Sequence, residues 1–105
     1  MLRAYQVMLS VMRRLPPVLV RIEKHDRDLG DQLRRASASV VLNMAEASGS
    51  SGGTRNARYR TALGSARETG ACIEVAVALG YVERVEPELL DELDRVRAIL
   101  VKVIR

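Results

Sequence analysis

A chain of 105 residues leaves room for a single domain, here residues 1–105, with a modest core. There is no Phe or Trp, and the 48% apolar share is filled mainly by Leu, Val and Ala, which pack helix against helix. The net charge of +4 rests on 15 Arg and only two Lys, which favours an acidic partner, and the lone Cys72 excludes both an internal disulfide framework and a Cys-based zinc site.

The first predicted helix covers about residues 2–24. Leu2, Tyr5, Met8, Leu9, Met12 and Leu15 recur at helical spacing, and Leu19 and Ile22 resume it. Pro16-Pro17 interrupts the run by removing backbone donors, so a kink is expected there, or a short break with Pro16 opening a new helix. The restored apolar spacing favours the kink. The second helix covers about 28–48, with Asp26 or Asp28 as its N-cap. Its inward stripe is Leu29, Leu33, Ala36, Val40, Met44 and Ala47. Val41 and Leu42 widen the apolar surface beyond one stripe, which calls for more than one packing partner.

Ser48-Gly49-Ser50-Ser51-Gly52-Gly53 reads as a flexible loop, with Thr54 capping a third helix over about 54–79. Tyr59, Leu63, Ala66, Ile73 and Val77 mark that helix's buried side. Gly64, Gly70 and Ala71 suggest the close approach of a neighbouring backbone, and Gly80 suits a C-cap. Pro87 opens a fourth helix, about 87–104, with Leu89, Leu93, Val96, Leu100 and Val103 facing inward. Four helices with short connections imply an all-α, antiparallel up-down four-helix bundle. No stretch has the ~18 unbroken apolar residues of a membrane span, and no signal core precedes the first helix, so a cytoplasmic protein is expected.

Several segments resemble one bacterial family. They are Leu29-Gly30-Asp31-Gln32-Leu33-Arg34-Arg35-Ala36, then Val40-Val41-Leu42-Asn43-Met44-Ala45-Glu46-Ala47, the stretch from Tyr59 to Glu68, and Leu79-Gly80-Tyr81. The family is that of the four-helix-bundle proteins encoded in intervening sequences of 23S ribosomal RNA genes. A related branch is the accessory variability protein of diversity-generating retroelements. The resemblance implies an up-down bundle assembled as a homopentamer. In the retroelement branch it also implies association with a reverse transcriptase and with nucleic acid. The chain departs from the family pattern at Ala47-Ser48-Gly49, at Gly52-Gly53 and at Pro16-Pro17.

Positive charge is concentrated in the middle of the chain. Arg34, Arg35, Arg55, Arg58, Arg60 and Arg67 face only Glu46 and Glu68 within residues 34–70, whereas residues 71–105 carry more acid than base. Such a patch can neutralise phosphates without reading sequence, so the six arginines are the candidate nucleic-acid-binding residues. The plain alternative is a solvated face with local ion pairs. No aromatic residues interleave the arginines, which gives little support for base stacking. Asn43 and Glu46, three apart, form a candidate polar pair that fixes helix packing.

Catalytic and metal chemistry find little support. His25, the only histidine, has Ile22 three positions before it rather than the Glu of a di-iron bundle motif. The Gly-rich loop lacks the Lys-Ser/Thr ending of a phosphate-binding loop. Cys72 sits in an apolar helix as a buried structural thiol. Ser37, Ser39 and Ser65 have no base implied nearby. The sequence therefore points to a non-enzymatic oligomer without cofactor or metal, which binds itself and presents arginines to RNA, DNA or a nucleic-acid enzyme. One rival is a purely structural or protein-interaction module. The other is a helical nuclease toxin using Arg21 and His25.

Overall fold

Pro16 and Pro17 have no N–H to continue the opening helix, and the chain divides there. The computed structural model describes residues 2–104 and contains five helices, with no strand among the described residues. They are α1 (Arg3–Arg14), α2 (Pro16–Glu23), α3 (Arg27–Ser48), α4 (Gly52–Ala78) and α5 (Pro87–Val103). Leu15, between α1 and α2, keeps right-handed helical angles of φ −71° and ψ −32°. Its N–H bonds to Met12 O at 3.3 Å, and the ladder resumes with Leu19 N–H to Leu15 O at 2.9 Å. Pro16 opens α2 at a position where a missing N–H leaves no extra orphan.

Asp26, not Asp28, caps α3, accepting from Leu29 N–H at 3.0 Å. The start of α4 corrects the sequence reading. Gly52-Gly53 form the first helical turn rather than loop, and Thr54 lies inside the helix rather than capping it. Ser51, in extended conformation, is the N-cap, and Gly52 takes a positive φ of 57° that a glycine adopts without strain. At the other end Gly80, at φ 78°, closes α4. Tyr81 N–H reaches Ala76 O at 2.9 Å and Gly80 N–H reaches Val77 O at 3.0 Å, which satisfies carbonyls that the helix end would leave orphaned.

The deepest packing is between α3 and α4, which run antiparallel as a hairpin. Three contacts mark the register: Gln32 with Glu68 at 3.2 Å, Ser39 with Ser65 at 2.7 Å, and Glu46 with Arg58 at 2.9 Å. Helix α5 packs against both α1 and α4, and α3 also touches α1 and α2. One apolar cluster runs through all five helices, with Met8, Leu15, Ile22, Leu33, Met44, Leu89, Leu93 and Leu100 among its fully buried members.

All six residues of the α3 stripe are buried. On α1 the core is carried by Ala4, Val7, Met8 and Val11, while Leu2, Tyr5, Leu9 and Met12 pack half-buried along its margin. On α4, Val77 is 41% exposed, contrary to expectation, because Cys72, Ile73 and Ala76 take the inward face at that level and turn Val77 outward. The expected backbone approach at Gly64 and Gly70 is also corrected. A Cβ at Gly70 would meet the Arg97 guanidinium at 2.6 Å, a side chain rather than a backbone, and a Cβ at Gly64 would meet nothing within 4 Å.

Candidate nucleic-acid interface

The hairpin geometry determines where the six arginines stand. Arg34 and Arg35 leave α3 near the level of Arg67 on α4, as the Gln32–Glu68 contact fixes. Arg55, Arg58 and Arg60 lie about two to three turns further towards the hairpin loop. Arg58 and Arg60 are about 200° apart around α4, so they belong to different faces. The arginines thus form two groups along one hairpin rather than a single cluster.

Arg34, Arg55 and Arg58 are engaged inside the chain. Arg34 pairs with Glu23 at 2.6 Å and with Asp31 at 3.4 Å. Gly30 makes the first contact possible, since a Cβ there would come within 2.9 Å of Glu23 Cγ. Arg55 donates through Nε to the Ser50 carbonyl at 3.0 Å. Arg58 binds Glu46 at 2.9 Å and donates to Asn43 Oδ1 at 3.4 Å. Among the described residues Arg35 and Arg67 are exposed and make no ion pair, whereas Arg60, also exposed, has a partner.

Asn43 and Glu46 meet through Arg58, which reaches across from α4 to both. Asn43 Nδ2 donates in turn to Ser39 O at 2.9 Å and to Ser39 Oγ at 3.1 Å. With the Ser39–Ser65 hydroxyl pair this makes a continuous polar seam between α3 and α4. Sequence reasoning missed that seam, because single serines carry no periodic signal. No base stands in it, and its hydroxyls already have partners.

The remaining chemistry-bearing side chains are held elsewhere. Cys72 is buried, and desolvation first, then the Glu68 carboxylate, push its thiol pKa up, which keeps it protonated and unreactive. His25 stacks on Tyr81 with ring centroids 5.1 Å apart, and the Tyr81 hydroxyl donates to Asp26 Oδ2 at 3.4 Å. These contacts join the α2–α3 turn to the α4–α5 turn. No grouping of three or more His, Cys, Asp or Glu suited to a metal ion occurs among the described residues. No helix among the described residues is long and apolar enough to cross a membrane.

An all-helical chain with a basic hairpin and a polar inter-helix seam defines a class of small helical proteins, and comparison makes the class specific. The family profile described as "23S rRNA-intervening sequence protein" matches residues 2–102, and the chain belongs to that family. Neither a curated protein nor a solved structure matches it.

Proposed function

We propose that the protein is a non-enzymatic, self-assembling bundle that presents arginines to nucleic acid, or to a nucleic-acid enzyme such as a reverse transcriptase. In this reading α1 and α2 act as one kinked arm of an up-down four-helix bundle, and the assembly is a homopentamer. The observation that carries the self-assembly is the outer face of α4. Ala57, Thr61, Gly64, Ala71, Val75 and Ala78 follow one another at the alternating four- and three-residue spacing of a helix-packing seam, interrupted by Glu68. All of them are exposed within the subunit. Leu42 on the adjoining α3 is 62% exposed. Small and apolar residues in that order suit a second helix and gain nothing from water.

Arg35 and Arg67 support the nucleic-acid part, as exposed cations on adjacent helices without ion pairs among the described residues. Assembly would repeat them around a ring, where weak phosphate contacts gain from effective concentration. A second reading, a purely structural or protein-interaction module, draws on the internal engagement of Arg34, Arg55 and Arg58.

Light scattering tests the assembly and should return a multiple of the 11.6 kDa subunit. Filter binding with structured RNA and duplex DNA at two salt concentrations tests the surface. Binding should weaken steeply with salt, because phosphate contacts release counterions. The Arg35→Glu/Arg67→Glu double variant should bind at least about tenfold more weakly. A monomer at micromolar concentration refutes the assembly. Equal binding by wild type and double variant, or none at low salt, leaves the structural module.

A further inference from the structure

We infer that the end of the bundle where α4 begins is a binding site for a phosphate monoester. The α3–α4 hairpin overhangs the start of α1 and the end of α5. A cavity of about 600 Å³ lies in the step, bordered by Gly52, Gly53, Arg55, Tyr59 and Lys102.

Three independent features give this cavity an anion's chemistry. The first is the helix terminus. α4 is 27 residues long, its N-cap Ser51 makes no side-chain capping bond, and its first turn holds no acidic residue. The leading N–H groups are therefore unsatisfied and sit at the positive end of the helix dipole. Side chains at Gly52 and Gly53 would meet nothing within 4 Å, so the bare backbone here is open to a ligand.

The second is Tyr59, which is only 9% exposed and makes no side-chain hydrogen bond among the described residues. No buried side-chain oxygen in the described structure lacks a partner, so the Tyr59 hydroxyl is not sealed in the core. It opens onto the cavity that Tyr59 borders and stands there as an unused donor.

The third is charge. Among the described residues Lys102, which borders the cavity, makes no ion pair, and Arg55 keeps its terminal nitrogens unbonded after donating through Nε to Ser50. Arg3 and Arg58 lie at the same end of the bundle. The one acidic residue near the hairpin loop, Glu46, is already held by Arg58. Backbone N–H groups, a phenol and two cations around a cavity of ligand size match a doubly charged phosphate that carries an organic group.

The chemistry is shared by a free nucleoside monophosphate and by the phosphorylated end of a nucleic acid. The site does not depend on the Arg35–Arg67 surface, so failure of long RNA to bind at low salt would end that reading and leave this one standing. The test is a titration of ¹⁵N-labelled full-length protein, followed by amide shifts at constant ionic strength. The probes are inorganic phosphate, adenosine 5′-monophosphate, and a short RNA with and without a 5′-phosphate.

Inorganic phosphate should move the Gly52 and Gly53 amides saturably. Lys102→Glu should weaken its binding about tenfold, and Tyr59→Phe, which keeps the ring in place, about threefold. A 5′-phosphate that tightens RNA binding assigns the site to a nucleic-acid end. Tight adenosine monophosphate binding, with no effect of the RNA 5′-phosphate, assigns it to a free phosphomonoester. Amides of Gly52 and Gly53 that do not move, or variants that both bind phosphate as wild type does, overturn the proposal.

Discussion

Helices α3 and α4 are neighbours of comparable length, 22 and 27 residues, and they answer to their sequences differently. Every position of the apolar stripe on α3 is buried, and most of its opposite face is charged or polar. On α4 small or apolar residues, Ala57, Gly64, Ala71, Val75, Val77 and Ala78, are exposed among the charged ones, so its apolar positions are not confined to the inner face. A helix with one apolar face is accounted for by its own subunit. A helix whose apolar positions extend onto its outer face is accounted for by a further partner. The contrast between the two helices therefore bears on assembly more directly than any single residue does.

The contrast is broken most severely at the core of α3. Leu33 is fully buried, and Leu33→Ala should destabilise by ~2–5 kcal/mol through lost transfer energy and a residual cavity. Val77→Ala, on the exposed side of α4, should stay within about 0.5 kcal/mol in the isolated subunit. Urea denaturation of both variants measures the difference, and equal losses would show that the two helices are buried alike.

Next in size is a test of the outer seam. Gly64→Arg places a long charged side chain where the subunit itself leaves open space. Under the assembly proposal the particle mass should fall towards 11.6 kDa while helical circular dichroism is retained. An unchanged mass would put the seam outside the interface. Gly64→Ala sharpens the same point. In a free subunit it should stabilise by up to about 1 kcal/mol, because Ala is the better helix former, and a loss would signal a close neighbour from another copy.

Smaller effects belong to the polar seam between the helices. Arg58 and Glu46 are both about half exposed, so Arg58→Ala should cost less than about 1 kcal/mol, as solvent screens the pair. A double-mutant cycle with Glu46→Ala isolates the coupling, and a value well above that would mark the seam as a main support of the hairpin.

The smallest effect concerns pH. The Cys72 thiol has a raised pKa in the fold, so the folded state holds its proton where the unfolded chain gives it up. Its stabilising contribution is complete at neutral pH and declines once pH rises past the ordinary thiol range. Wild type should lose melting temperature relative to Cys72→Ala between about pH 8 and pH 10. Parallel curves for the two proteins across that range would contradict the assignment.

The positions of α3, the start of α5 and the Gly80 stop were legible in the sequence, because each rests on a local cause. Those causes are an apolar period, a Pro at the first helical turn, and a glycine free to take positive φ. The start of α4 was misplaced because Ser-Gly-rich composition signals flexibility, while Gly52-Gly53 are wound into a helix by the long segment behind them. The inward face of α1 was legible only in part. Leu2, Tyr5, Leu9 and Met12 are larger than Ala4, Val7 and Val11, yet the smaller residues face the centre where neighbouring helices come close.

The sequence by itself determined an all-helical chain, its apolar stripes, the proline break and the arginine-rich middle, since these follow from backbone chemistry and residue order. Only the tertiary structure decided which charges are used up and which are not. Arg34 meets Glu23 because Gly30 leaves room for it, and Arg58 meets Glu46 because α3 and α4 run antiparallel. Gly52, Tyr59 and Lys102 come to one cavity because one helix begins where another ends. Tyr59 and Lys102, on different helices and far apart in the chain, have no period or motif in common, so their meeting is a property of packing alone.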